Sequence, residues 1–236
     1  MICVACAAEF DVKQIRTAGT TTWAVCPVCG LMADIAYPPD YGQVWYAADK
    51  GTLPTDWKYD PTEPKIARVL AGNVGPWRQM LLSLNRPGGI LLDVGCGAGE
   101  VLDYARELGY WTRVVGTEIN RHFVAFTRSR GHEVHYTDLV HHPIEDLLGH
   151  VSLAICNEVL EHVPDPVALL RAIGPYLHPS GALFASFATI PQFPDPGEGY
   201  YWTQAAVLQA VLRAGLSLIS CRQTHYRFDC FCRRKP

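Results

Sequence analysis

The sequence lacks an apolar run long enough to cross a membrane, and it lacks the segments that direct export. No stretch reaches the roughly 18 consecutive apolar residues of a transmembrane helix. The first residues have neither the positive charge nor the apolar run of a secretory signal. We therefore expect a cytoplasmic protein that makes no membrane contact.

An excess of charge of one sign is also missing. The 236 residues include 20 Lys and Arg against 23 Asp and Glu, which gives a formal net charge of -3. Without a basic excess, the chain has no overall electrostatic signature of a nucleic-acid binder. A chain of this length is expected to form one α/β domain with a small appendage.

Cysteine, in contrast, is abundant, and the spacing of four cysteines indicates a metal site. Cys3 and Cys6 form one C-x-x-C pair, Cys26 and Cys29 form another, and 19 residues separate the pairs. This spacing is typical of a four-cysteine zinc site. Four thiolates leave the ion no open position, so we predict a structural zinc ribbon over residues 1–36. The other five cysteines are expected to be small buried residues (Cys96, Cys156, Cys221, Cys230 and Cys232).

Two further regions follow the ribbon. Residues 37–64 are rich in Pro, Tyr, Trp and Asp, which predicts an irregular connector. Its aromatic residues Tyr41, Trp45 and Tyr46 could close over a ligand as a lid or could pack into the core. Residues 65–236 alternate between helical and strand patterns and form the predicted main domain.

The alternation in the main domain predicts a doubly wound, mostly parallel sheet of seven strands. Strands are expected at 90–94, 113–118, 133–137, 151–156, 181–187, 216–221 and 226–232. Helices are expected at 65–84, 100–108, 120–129, 166–176 and 203–214.

A glycine loop follows the first of these strands. Gly95, Gly97 and Gly99 stand where an open α/β sheet binds its ligand, beyond the carboxyl end of a strand. Glu100 takes the position at which a dinucleotide-binding loop has Gly or Ala, and its charge would repel a pyrophosphate. The loop therefore favours a ligand without phosphates and argues against a nicotinamide-dependent oxidoreductase.

Two carboxylates stand at the ends of the next two strands. Glu118 could accept hydrogen bonds from both hydroxyls of a ribose, and Asp138 could receive an adenine amino group. Each acid taken alone could equally be a helix cap or a solvated loop residue. Successive strand ends that each carry a carboxylate, next to a glycine loop, favour a nucleoside site.

Four motifs in residues 90–187 together resemble the class I methyltransferases, close to the ubiquinone-biosynthesis O-methyltransferases. They are LDVGCGAG at 92–99, GTE at 116–118, CNEVLEHVPDP at 156–166 and LHPSGAL at 177–183. The resemblance implies a Rossmann-like fold and S-adenosylmethionine as the methyl donor. It implies a cofactor site formed by Asp93, Gly95, Cys96, Gly97, Glu118, Ile119, Asp138, Leu139, Asn157 and Glu158.

The catalytic group and the acceptor are less defined. His162 lies just past the fourth strand and is the candidate general base, although it could instead pack or cap the turn before Pro164. The segment 197–203 precedes a late helix, where related enzymes carry an acceptor-binding loop. Sugar-related members often have a histidine in this segment, and none is present here.

We predict methyl transfer to a hydroxyl of a small molecule or saccharide. Two alternatives stay open: an RNA or protein methyltransferase that uses the ribbon to recognise its target, and a non-enzymatic module with a vestigial cofactor site. The ribbon contains only Lys13 and Arg16 as basic residues, which argues against tight binding of nucleic-acid phosphates.

Overall fold

The computed structural model describes residues 1–12, 15–18, 21–35, 81, 88–190 and 199–235. Their strands are β1 (Ile15–Ala18), β2 (Thr21–Val25), β3 (Met32–Asp34), β4 (Ile90–Val94), β5 (Arg113–Glu118), β6 (Glu133–Tyr136), β7 (Val151–Cys156), β8 (Leu177–Ala188), β9 (Tyr200–Tyr201), β10 (Leu216–Gln223) and β11 (Arg227–Arg234). Their α-helices are α1 (Glu100–Leu108), α2 (Arg121–Ser129), α3 (Pro166–Ile173) and α4 (Gln204–Arg213). Two short 3-10 helices occupy Glu145–Leu147 and Gly174–Tyr176.

A seven-stranded sheet confirms the predicted doubly wound architecture. Its order is β10-β11-β8-β7-β4-β5-β6, and β11 is the one strand that runs antiparallel to its neighbours. From β4 the chain moves outward through β5 and β6, then returns to place β7 on the other side of β4. This reversal creates a crevice at the carboxyl ends of β4 and β7, which is where such sheets bind ligands.

The central strands are apolar on both faces because helices cover both sides of the sheet. In β7, Leu153 and Ile155 pack into one buried cluster, whereas Ala154 and Cys156 pack into the cluster on the opposite face. The bounds of β4, β5, β7 and α1 agree with the prediction. These elements could be recognised because each is a short, uninterrupted pattern that ends at or just before a glycine or a polar residue.

β8 begins earlier than predicted, at Leu177 rather than at residue 181. Leu177 pairs with Val151, and the register shifts before Ala182 pairs with Leu153. A Cβ on Gly181 would lie 2.5 Å from the carbonyl oxygen of Val151, so only glycine fits at this irregularity. The exposed, polar residues between Leu177 and Gly181 conceal the first part of the strand.

A second, four-stranded antiparallel sheet has the order β1-β2-β3-β9. Three of its strands come from the N-terminal segment, and β9 comes from the segment that links β8 to α4. Trp23 is fully buried here, with its ring 5.1 Å from that of Tyr201 and Met32 beside both. No sequence pattern predicts these strands, because β3 and β9 have only two or three residues and β1 and β2 lie in a polar, Thr-rich stretch.

Several predicted features lie outside the described residues. They are the connector 37–64, the aromatic residues Tyr41, Trp45 and Tyr46, residues 197–198, and the helix at 65–84 apart from the buried Leu81. Among the described residues, no helix combines the length and the apolar character needed to span a membrane.

Candidate functional site

The glycine loop folds back onto the end of the neighbouring strand. The backbone amides of Gly95 and Cys96 both donate to the carbonyl oxygen of Thr117, at 2.8 and 2.9 Å. Gly95 and Gly97 have φ values of +72° and +50°, in the left-handed region that favours glycine. The loop therefore turns sharply at the carboxyl edge of the sheet, at the crevice between β4 and β7.

The three glycines of the loop serve different purposes. A Cβ on Gly95 would lie 2.6 Å from Val159, and one on Gly99 would lie 2.5 Å from Thr127. These two positions are closed by packing. A Cβ on Gly97 would meet no described atom within 4 Å, so the backbone here faces open space. A ligand can approach the chain closely at Gly97.

Three carboxyl groups surround the base of the loop. Asp93 is buried on β4, and burial together with the charges of Glu118 and Glu100 raises its pKa to about 8. Burial likewise raises the pKa of Glu118 and raises that of Glu100 to about 7. Oε1 of Glu100 is buried and has no hydrogen-bond partner among the described residues. The site thus favours a ligand that brings positive charge.

Backbone amides hold the Glu118 side chain in place. Its Oε1 accepts from the amides of Ile119 and Asn120, both at 2.8 Å, and its Oε2 accepts from the amide of Gly97 at 2.9 Å. Because each carboxylate oxygen can accept two hydrogen bonds, Oε2 keeps one position for a hydroxyl. Glu118 therefore joins the glycine loop to the end of β5.

Asp138 and Leu139 lie in the turn after β6, two residues beyond the end of that strand. Oδ1 of Asp138 accepts from the amide of Val140 at 2.9 Å, which is the local turn contact that sequence analysis left open as its alternative. The Asp138 side chain is about one-third exposed, whereas Leu139 is buried. Among the described residues, Nε2 of His141 approaches Oδ2 of Asp138 only to 3.9 Å, so this oxygen can still receive a ligand donor.

Asn157 and Glu158 follow β7 on the other side of the crevice. Oδ1 of Asn157 is buried and has no hydrogen-bond partner within the described part of the chain. Glu158 has a φ of +52°, and its amide donates to Oγ of Ser186 at 2.8 Å. Arg227 of β11 donates to Oε1 of Glu158 at 2.8 Å. A strained non-glycine backbone next to a buried polar atom is common at functional sites.

His162 lies in the turn that follows this segment. Its backbone amide donates to the carbonyl oxygen of Val159 at 2.9 Å, and the residue is partly buried. A backbone hydrogen bond therefore closes the turn, and the role of His162 as a base stays a prediction.

Sequence analysis missed the residues that hold the loop from behind. Oγ1 of Thr127 on α2 donates to the carbonyl oxygen of Gly97 at 2.9 Å, and Arg130 donates to that of Ala98 at 2.6 Å. Arg130 and His132 both contact the carboxylate of Asp103 on α1. One signal was present in the sequence, because Thr127 is a hydroxyl-bearing residue on the apolar face of a helix.

The four N-terminal cysteines meet in space. Their sulfur atoms all lie within 4.8 Å of one another, with 3.5 Å between Cys3 and Cys29 and 3.6 Å between Cys6 and Cys26. Tetrahedral zinc with Zn–S bonds of about 2.3 Å places its sulfurs about 3.8 Å apart. The Cys29 thiol, hydrogen-bonded to Cys3, lowers the pKa of Cys3. The donor set and its spacing fit a zinc ion.

Both cysteine pairs have the same backbone form. The amide of Ala7 donates to the carbonyl oxygen of Cys3 at 2.8 Å, and that of Gly30 donates to Cys26 at 2.9 Å. Ala7 and Gly30 have φ values of +61° and +74°. The two turns are therefore equivalent, although only one has glycine at the strained position.

Comparisons with known proteins agree with this architecture. A family model described as a methyltransferase domain matches residues 67–221. Among curated proteins, a ubiquinone biosynthesis O-methyltransferase from Xanthomonas campestris is 36% identical over 105 residues, which is 42% of this chain and 43% of that protein. A Xanthomonas oryzae relative with the same description is 36% identical over 108 residues, 44% of each chain. The matches thus span less than half the length of these relatives.

Solved structures share the fold over most of the chain. A 1,6-didemethyltoxoflavin-N1-methyltransferase from Burkholderia thailandensis, solved with 1,6-didemethyltoxoflavin and S-adenosylhomocysteine bound, has a TM-score of 0.63 at 16% identity and covers 94% of this chain and 100% of its own. A magnesium protoporphyrin IX methyltransferase from Synechocystis, with bound S-adenosylmethionine, has a TM-score of 0.60 at 19% identity. It covers 85% of this chain and 99% of its own. At these identities the likeness shows the Rossmann-like fold.

Proposed function

The chain belongs to the methyltransferase domain family, and we propose that it transfers a methyl group from S-adenosylmethionine to a hydroxyl of a small molecule or saccharide. The observation that carries this proposal is the glycine loop, which is open at Gly97 and ringed by the carboxyl groups of Asp93, Glu100 and Glu118.

The chemistry of the donor fits this loop. S-adenosylmethionine supplies a methyl group on a positively charged sulfonium, and it also carries an ammonium group but no phosphate. The carboxyl groups at the loop base attract such a ligand and would repel a dinucleotide. The buried Oδ1 of Asn157 offers an acceptor that the described residues leave unused.

Each strand end has a proposed part in binding. Asp93 and the loop residues Gly95, Cys96 and Gly97 would face the amino-acid portion of the donor. Glu118 and Ile119 would hold the ribose, and Asp138 and Leu139 the adenine. Asn157 and Glu158 would close the site from the β7 side. The carboxyl ends of β4, β5, β6 and β7 share one edge of the sheet, which supports this assignment.

The acceptor class is supported by the relatives. The matched curated proteins are named as O-methyltransferases of ubiquinone biosynthesis, and a structural neighbour named as an N1-methyltransferase has 1,6-didemethyltoxoflavin bound. A hydroxyl acceptor must lose a proton, and we propose His162 as the base because its turn adjoins Asn157 and Glu158. Alignment of the acceptor with the sulfonium supplies much of the remaining rate.

Thermal shift measurements test the donor assignment. S-adenosylmethionine and S-adenosylhomocysteine should each raise the Tm, since a ligand at 100 times its Kd stabilises the fold by about 2.7 kcal/mol. NADH and ATP at equal concentration should leave the Tm unchanged because their phosphates meet Glu100. A shift with NADH alone would overturn the proposal. If the protein instead methylated RNA or protein, the donor assignment would stand and only the proposed acceptor class would change.

We also propose that Cys3, Cys6, Cys26 and Cys29 hold a structural zinc ion. Four thiolates complete a tetrahedron, and binding stabilises a segment too short to form its own core. Elemental analysis after dialysis under reducing conditions should give about one zinc per chain. Cys26→Ser should lose the metal, whereas Cys221→Ser should retain it. Absence of zinc from the wild-type protein would refute the site.

A further inference from the structure

Thr203 connects the four-cysteine site to the main domain through one hydroxyl group. Its Oγ1 donates to the carbonyl oxygen of Cys29 at 2.5 Å and accepts from the amide of Ala206 at 3.1 Å. The second bond caps the N-terminus of α4. The first reaches a residue 174 positions away in the chain, in the turn of the second cysteine pair.

The strand just before Thr203 pairs with the strand that follows the same turn. β9 pairs with β3, so that Tyr201 lies opposite Met32, and the amide of Asp34 donates to the carbonyl oxygen of Gly199 at 3.0 Å. A Cβ on Gly30 would lie 2.9 Å from Cγ2 of Thr203, which shows how closely the cysteine turn approaches this segment. The cysteine turn therefore contacts Thr203 at one end of the segment 199–203, and β3, which follows that turn, contacts Gly199 at the other end.

The same segment also contacts the turn that follows β7 and the carboxyl end of β8. The amide of Gly199 donates to the carbonyl oxygen of Glu161 at 2.7 Å, and the hydroxyl of Tyr200 donates to that of Pro164 at 2.7 Å. The amide of Trp202 donates to Ala188 at the carboxyl end of β8. Segment 199–203 thus borders the turn that contains His162 and lies beside the carboxyl edge where an acceptor must enter.

We infer that Thr203 is a positioning residue that couples the four-cysteine metal site to the wall of the acceptor site formed by residues 199–202. Metal–thiolate bonds fix the backbone of Cys29, and the hydroxyl of Thr203 takes its direction from that carbonyl group. The hydroxyl then sets where β9 ends and α4 begins. The acceptor role of this wall rests on the proposed function, but the coupling itself can be measured without donor or acceptor.

Hydrogen exchange of the full-length protein tests the coupling, with the zinc-loaded and the chelator-treated forms compared. Removal of zinc should speed exchange at the amides of Gly199 and Trp202 by about tenfold, the effect of losing one hydrogen bond to a fixed partner. Exchange at Gly97, whose amide is held by Glu118, should not change. Thr203→Val should show the fast exchange even when zinc is loaded, and Thr203→Ser should restore the slow exchange.

A second capping residue separates coupling from simple helix capping. Oδ1 of Asp165 accepts from the amide of Ala168 and caps α3 without contacting the cysteine site. Asp165→Ala should lose stability through its cap but should release zinc to a chelating dye at the wild-type rate. Thr203→Val should release zinc faster, because the coupling acts in both directions.

Unchanged exchange at Gly199 and Trp202 after zinc removal from the wild-type protein would overturn the inference, whether or not Thr203→Val folds. Equal exchange rates at these amides in Thr203→Val and Thr203→Ser would also overturn the inference. A protein that showed the coupling but did not bind S-adenosylmethionine would refute the proposed function and leave the coupling in place.

Discussion

At the scale of single residues, the donor site depends on acids that are costly to ionise. Asp93 is buried within reach of the charges of Glu118 and Glu100, and its pKa rises to about 8. The cost is offset only when a cation binds, since the positive charge of a sulfonium and an ammonium favours the ionised acids. The proposed donor site thereby favours a cationic ligand.

The raised pKa of Asp93 predicts how the stability of the protein depends on pH. A carboxyl group with a raised pKa binds more protons in the folded than in the unfolded state between about pH 4 and 8. The free energy of unfolding of the ligand-free protein should therefore fall as pH rises through this window, by at most about 1.4 kcal/mol per pH unit for this group. Urea unfolding at pH 5, 6, 7 and 8 should show a flatter profile for Asp93→Asn. Parallel profiles would contradict the assigned pKa.

The two cysteine turns give a matched pair of backbone tests. Ala7 and Gly30 have the same left-handed conformation, but Gly30 also lies against Thr203. Ala7→Gly should change the free energy of unfolding by less than about 0.5 kcal/mol, because relief of strain offsets added freedom in the unfolded chain. Gly30→Ala should cost at least about 1 kcal/mol from strain and contact. Chemical denaturation of both zinc-loaded variants measures the difference, and equal effects would contradict the geometry.

At the scale of elements, the loop after β4 is held by α2 and by the residue that ends this helix. Thr127 on α2 holds the carbonyl group of Gly97, and Arg130 holds that of Ala98. The strands and α1 could be predicted because their patterns are local and continuous. The support from α2 could not be predicted. The sequence shows that Thr127 is a polar residue in an amphipathic helix, but it does not show which carbonyl group its hydroxyl contacts.

Thr127 tests whether this support matters for binding. Thr127→Val keeps the shape of the side chain but removes the hydrogen bond to Gly97, which should weaken S-adenosylmethionine binding by about fivefold, or about 1 kcal/mol. Thr127→Ser keeps the hydroxyl and should bind more tightly than Thr127→Val. Calorimetric Kd values for the wild-type protein and both variants measure this order of affinities. Tighter or equal binding by Thr127→Val would show that α2 does not orient the loop.

At the scale of the whole molecule, the N-terminal segment and the main domain share a sheet. β9 is separated from β3 by more than 160 residues in the sequence, yet the two strands pair. Sequence analysis identified the four cysteines and the main fold correctly from local patterns. It could not place the ribbon, because the contacts of Thr203 with Cys29 and of Arg213 with the carbonyl oxygen of Val4 join distant parts of the chain.

This shared sheet predicts cooperative unfolding. The zinc-loaded protein should show one calorimetric transition whose van't Hoff and calorimetric enthalpies agree. Cys26→Ser should lower the Tm of that transition rather than remove a separate one. Two resolved transitions, with only the first sensitive to Cys26→Ser, would show that the ribbon folds independently.

The central claim is that the loop after β4 binds S-adenosylmethionine through Asp93, and calorimetric titration tests it most directly. Asp93→Ala should weaken binding by about tenfold or more, since it removes a charge-assisted contact worth about 1.5–3 kcal/mol. Asp146→Ala provides the matched control, because Asp146 pairs with Arg113 at the start of β5, at the opposite edge of the sheet. The control should bind with the wild-type Kd. Equal affinity of all three proteins would contradict the assigned site.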